Sequence, residues 1–136
     1  MTRRTLIESA AGLLLLARHA TAQTSAARSQ PLFKHDLPPV NLDNWAVTAV
    51  EVTYGPGERS AAHSHPGITI AYVLEGEIRS KVGNDPERTY SVGQMFFENP
   101  EELHAVSGNA SDTKPARLLA VLLAEKGKPL TTPAKG

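Results

Sequence analysis

The chain has no cysteine. That excludes disulfide staples, thiolate nucleophiles, cysteine-ligated zinc and iron–sulfur clusters, so any chemistry rests on oxygen and nitrogen groups or on a metal they hold. An excess of either charge is also lacking: fourteen Lys and Arg balance fourteen Asp and Glu. Nothing in that total draws nucleic acid or an anionic membrane, and no nucleic-acid partner is expected. Long apolar runs are missing as well. The longest near the start, Ala10 to Ala17, falls far short of the roughly 20 residues that span a bilayer. At 136 residues the chain is about one domain's worth, and two folded domains are not expected.

The N-terminal residues differ from the rest. Arg3 and Arg4 precede an apolar stretch with four leucines, Leu13 to Leu16, and Ala20-Thr21-Ala22 places small residues ahead of Gln23. A basic start, a short apolar stretch and an A-x-A site read as a signal peptide over 1–22, cleaved near Ala22/Gln23. Thr2-Arg3-Arg4-Thr5-Leu6-Ile7 resembles the twin-arginine signal, which exports proteins already folded and often loaded with a cofactor. An ordinary secretory signal is the other reading. Both place the mature chain in the periplasm or outside the cell, with no membrane anchor after cleavage. Loss of Arg3, Arg4, Arg18 and Glu8 leaves eleven basic against thirteen acidic residues, a slightly acidic domain.

Residues 23–44 are polar, contain Pro31, Pro38 and Pro39, and show no sustained period; an extended arm is expected. From Trp45 the pattern turns to short Val- and Thr-rich runs separated by turn residues. Strands are predicted at Ala46–Tyr54, Ile68–Leu74, Glu77–Val82, Tyr90–Glu98, His104–Ser107 and Arg117–Leu123. Gly55-Pro56-Gly57, Glu75-Gly76, Gly83-Asn84-Asp85-Pro86 and Gly108-Asn109 punctuate them. No amphipathic helix competes, so the fold class is all-β, a sandwich or barrel over 45–124. The run from Arg117 to Leu123 predicts a strand buried on both faces, and 125–136 predicts a loose tail or an arm.

Two histidines, His63 and His65, are one residue apart and project from one face of a strand; His104 begins a later strand. Three neutral imidazoles suit a divalent first-row ion and leave positions open for water, substrate or dioxygen. Gly57, five residues, His63-Ser64-His65 and then Gly76 resembles the first motif of the cupin family. Gly93 through His104 resembles the second. The resemblance implies a double-stranded β-helix, or jelly roll, and a metal centre at His63, His65 and His104. Two departures stand out. The family's metal-binding Glu falls at Thr69, and the Pro and Gly of the second motif fall at Asn99 and Glu101, with the later Asn one place on at Asn109.

Glu98 sits beside the altered turn. Facing inward it is a fourth ligand or a general base; facing outward it joins Glu101 and Glu102 as a solvated acid. Counting by two from His65 puts Gly67, Thr69, Ala71 and Val73 on the metal side, small groups that leave room for a ligand. The other face receives Ile68, Ile70, Tyr72 and Leu74, too apolar to stay wet, so a second sheet, the arm or a second subunit in a homodimer must cover it. Tyr72 is a strand aromatic with a proton donor as its second reading. Phe96 and Phe97 read as core or pocket wall. Arg59 and Arg79 read as surface charges, or as holders of a substrate carboxylate. His35 receives no role.

These residues imply a metal-dependent enzyme, oxygenase-like, acting on a small-molecule substrate. Fe(II) is favoured, with Mn, Ni, Zn or Cu also compatible with imidazole. A non-catalytic ligand- or metal-binding module and a metal-dependent isomerase or lyase are the alternatives, because fold does not choose among them.

Overall fold

The computed structural model describes residues 26–135; the signal-peptide reading over 1–22 lies outside the described residues. Nine strands follow one another, with no helix among the described residues. They are β1 (Trp45–Tyr54), β2 (His63–Ser64), β3 (Ile68–Glu75), β4 (Glu77–Val82), β5 (Arg88–Ser91), β6 (Met95–Glu98), β7 (His104–Asn109), β8 (Ala116–Glu125) and β9 (Thr132–Pro133). They form two antiparallel sheets, β1-β8-β3-β6 and β5-β4-β7-β2-β9. This is the expected all-β double-stranded β-helix.

Period two builds the core. Along β8, Ala116, Leu118, Ala120, Leu122 and Ala124 are buried while the residues between them are only half-buried. The expectation that this strand is buried on both faces therefore holds for one face. β1 turns Val50, Val52 and Tyr54 toward the same interior, where they meet Val73, Ile78 and Phe96. On the outer face Arg117 binds Glu75 at 2.7 Å and Glu51 at 2.8 Å, tying β8 to β3 and β1 with exposed ion pairs.

Two parts of the chain depart from the sequence reading. Tyr90–Glu98 is not one strand: Gly93, at φ +86°, turns the chain out of β5 in one sheet and into β6 in the other. The residues after β8 are not loose. They return as β9 to pair with β2, and the Ala134 amide donates to the Ala62 carbonyl. Residues 26–44 hold no strand or helix, and His35 among them has a contact: its ring stacks on Phe97 with centroids 3.9 Å apart, over the outer face of the four-stranded sheet.

The altered second motif builds its turn without glycine. Glu101, where the family has glycine, adopts the left-handed conformation at φ +62°, and its amide donates to the His65 carbonyl at 2.7 Å. Asn109 is buried; its amide donates to the carbonyls of Gly55 and Lys114, and its oxygen accepts from the Ser111 amide, which ties the β1–β2 and β7–β8 loops together.

Asn109→Ala leaves the Lys114 carbonyl and the Ser111 amide without their partner and is expected to cost about 2–4 kcal/mol, read as a lower urea midpoint with unchanged m-value. Glu101→Gly relieves the left-handed strain and is expected to stabilise by about 1 kcal/mol in the same measurement.

Candidate metal centre

The interior of the barrel encloses a cavity of about 510 Å³. His63, His65, Thr69, Glu98 and His104 supply its polar end, and Val50, Val52, Phe96, Leu118 and Leu122 much of its apolar wall. Strand pairing explains the cluster. His63 of β2 lies directly across from His104 of β7, and Thr69 of β3 directly across from Glu98 of β6. Cross-strand partners project from one face, about 5 Å apart, so four neighbouring strands deliver these side chains to one place.

One ring nitrogen of each histidine is occupied by the protein. His63 Nδ1–H donates to the Ala61 carbonyl at 2.7 Å, and His65 Nδ1–H donates to the Leu130 carbonyl at 2.7 Å. His104 Nε2 is 2.8 Å from Ser80 Oγ, a hydroxyl that can donate or accept. The two carbonyls fix the tautomers of His63 and His65 and leave their Nε2 atoms as free lone pairs, while Ser80 holds the orientation of the His104 ring and leaves Nδ1 facing the cavity. One nitrogen from each ring lies within 4.8 Å of the others. Burial lowers the His63 pKa below its ordinary value, opposed by the Ala61 hydrogen bond, so the ring is held in the neutral, ligating form.

Glu98 faces inward and is 2% exposed. Its Oε2 lies 3.1 Å from His104 Nδ1 and 3.5 Å from His65 Nε2. The first contact is short enough for an ion pair, yet not aligned as a hydrogen bond. Glu98 Oε2, His104 Nδ1 and Thr69 Oγ1 are buried without any hydrogen-bond partner. A carboxylate oxygen and an imidazole nitrogen this close in an apolar cavity are poorly solvated, and a proton or a metal ion between them relieves the contact. Two ligands each about 2.1 Å from one ion, at angles of roughly 90–110°, stand about 3.0–3.4 Å apart. The observed separations are of that size, and the donor set of three nitrogens and one oxygen suits a divalent first-row ion.

The structure thus brings His63, His65, His104 and Glu98 together. It does not bring Tyr72, which lies on the outer face across from Met95 and Leu119 and away from the cavity lining. Arg79 pairs with Glu87 at the surface, and Arg59 bridges to Gly108; neither lines the cavity. Of the expected inner-face residues, Thr69 and Ala71 line it, Val73 is in the core, and Gly67 is packed against the Leu123 carbonyl. Sequence reasoning missed Ser80 and Leu130, which orient two of the rings. Ser80 carried a usable signal as a lone hydroxyl on the inward phase of β4 beside Ile78, whereas Leu130 acts through its carbonyl and carried none.

The cupin domain profile (Cupin_2) matches residues 50–122. No curated protein sequence matches the chain. Among solved structures, the DMSP lyase DddQ from Ruegeria pomeroyi is similar with a TM-score of 0.57 and 20% identity, over 65% of this chain and 43% of that one. A conserved protein with a double-stranded β-helix domain from Klebsiella pneumoniae has a TM-score of 0.53 and 19% identity, over 81% of this chain and 100% of that one. A cupin-like protein from Thermotoga maritima has a TM-score of 0.51 and 25% identity, over 56% of each chain. The chain spans less than half the length of the lyase, and these likenesses speak for the fold. With the profile covering more than half of the residues and both of its motifs built into one cavity, the chain belongs to the cupin domain family.

Proposed function

We propose that this chain is an exported, divalent-metal-dependent enzyme, oxygenase-like, that acts on a small molecule inside the barrel. His63 Nε2, His65 Nε2, His104 Nδ1 and Glu98 Oε2 hold the ion, with Fe(II) favoured. The observation that carries this reading is the unpartnered pair of Glu98 Oε2 and His104 Nδ1, buried and facing the space where two further imidazoles present lone pairs.

When bound, the ion supplies Lewis acidity and open positions for substrate oxygens or dioxygen. The chain's own residues do the rest. Ala61, Leu130 and Ser80 hold the three rings, and the apolar wall excludes water. Glu98 removes one unit of charge from the centre, which makes it a milder Lewis acid than three neutral imidazoles alone would. Its short distance to His104 favours the ligand role over that of a free general base. Export rests on the leader over 1–22, and a homodimer on the half-buried apolar outer face of β3 and β8, where Ile70, Tyr72, Leu119 and Val121 meet.

Protein purified without chelator or a nickel column is expected to carry about one divalent ion per chain, with His63→Ala and Glu98→Gln strongly depleted. Metal far below stoichiometry, the same in wild type and His63→Ala, would sink the reading and leave a ligand-binding module. Iron-loaded protein is then offered diketones, phenols and thiols in an oxygen electrode; uptake supports the oxygenase, and no uptake moves the reading to isomerase or lyase. Ser80→Ala frees the His104 ring and is expected to weaken metal binding about 10–100-fold by competition with a chelating dye, while the fold persists by circular dichroism.

A further inference from the structure

The cavity has a second polar cluster, away from the histidines. Tyr54 Oη is 2.8 Å from Ser60 Oγ and 2.9 Å from Ser107 Oγ, and all three residues line the cavity. Tyr54 and Ser107 are each 5% exposed. Three hydroxyls carry three donor hydrogens, and the two bonds among them use two. Whichever way the hydroxyls rotate, one O–H remains, and none of the three makes any other side-chain bond among the described residues.

The cluster and the metal centre share one wall. Both His104 and Ser107 face inward from β7, three residues apart and so about 10 Å along the strand. The wall around them is apolar, through Val50, Val52, Phe96, Leu118 and Leu122. Among the described residues no Arg or Lys lines the cavity, and its single carboxylate, Glu98, is at the histidine end. A carboxylate or phosphate at the hydroxyl end would be desolvated with no cation to pair with, whereas an uncharged carbonyl or hydroxyl oxygen needs only the spare donor.

We propose that Tyr54, Ser60 and Ser107 form a ligand subsite that donates a hydrogen bond to an uncharged oxygen of the substrate, whose other oxygen reaches the metal centre. This rests on the reading of that centre as a metal site. The substrate class is a neutral, apolar-bodied molecule with an oxygen function at each end. The cavity lies in the lower half of the range for small-molecule sites, roughly 300–1,000 Å³, and suits a substituted single ring.

The test uses 4-hydroxyacetophenone as probe and 4-ethylphenol as the same shape without the acceptor, titrated calorimetrically into metal-loaded full-length protein. Wild type is expected to bind the ketone about tenfold tighter than 4-ethylphenol, and the triple variant Tyr54→Phe, Ser60→Ala, Ser107→Ala, which removes every hydroxyl of the cluster, to lose that preference with its metal content unchanged. If the triple variant does not fold, the comparison of the two probes on wild type carries the test. Equal binding of the two probes to wild type, a preference that survives the triple substitution, or no binding of the ketone overturns the proposal. A preference that depends on the three hydroxyls in protein holding no metal would leave the subsite standing and remove only the metal reading.

Discussion

A buried carboxylate facing a buried imidazole nitrogen is the constraint around which this barrel is arranged. Glu98 Oε2 and His104 Nδ1 stand 3.1 Å apart in a cavity whose wall is largely apolar, and neither has a hydrogen-bond partner among the described residues. Such a pair costs several kcal/mol unless positive charge sits beside it. The surroundings hold it in place: Ser80 holds the far nitrogen of His104, and the returning C-terminal segment fixes His65 through the Leu130 carbonyl. A fold that restrains the contact this tightly keeps the two groups ready for a cation that would relieve it.

The position where the resemblance expects an acidic ligand holds Thr69, a residue poorly suited to ligate a cation beside three imidazoles. Thr69 and Glu98 are direct cross-strand partners, so their side chains rise from the same face about 5 Å apart. A carboxylate on β6 can therefore address the same space as one on β3, and the short Thr69 side chain leaves room for it. The turn beyond Glu98 shows a similar tolerance. Glu101 takes the left-handed backbone at φ +62°, and its amide donates to the His65 carbonyl, so the turn forms without glycine.

What the sequence made legible was whatever depends on alternation and on local turn chemistry. The strands β1, β3, β4 and β8 were all within two residues of their observed ends, because Val- and Thr-rich runs bounded by Gly and Pro have few other uses. The three histidines were legible for the same reason, as an H-x-H pair and a strand-initial partner. Tyr72 shares a strand with Thr69 and Ala71 but points the opposite way, as the count by two places it. Two things were not legible. Gly93 splits the Tyr90–Glu98 stretch because the chain must change sheets there, a requirement set by closure of the barrel and not by neighbouring residues. The C-terminal residues are polar and rich in Pro and Gly, yet they pair with β2, since pairing depends on a free strand edge far away in sequence.

The odd spacing on β7 shows how little is needed to join two ends of a cavity. On a regular strand His104 and Ser107, three residues apart, would face opposite sides of the sheet. The pairing of β7 with β4 slips between Val82 opposite His104 and Lys81 opposite Val106, so Ala105 is an extra residue with no partner. A bulge of this kind resets the alternation without ending the strand. Ser107 then faces inward opposite Ser80, while Ser80 itself holds His104, and the histidine end and the hydroxyl end become parts of one wall. Were Ala105 instead taken into the ladder as a paired residue, the alternation would turn Ser107 and Asn109 outward together, taking the hydroxyl cluster and the loop anchor from the interior in one step. The bulge is thus as much a part of the site as the ligands are, although no single side chain carries it.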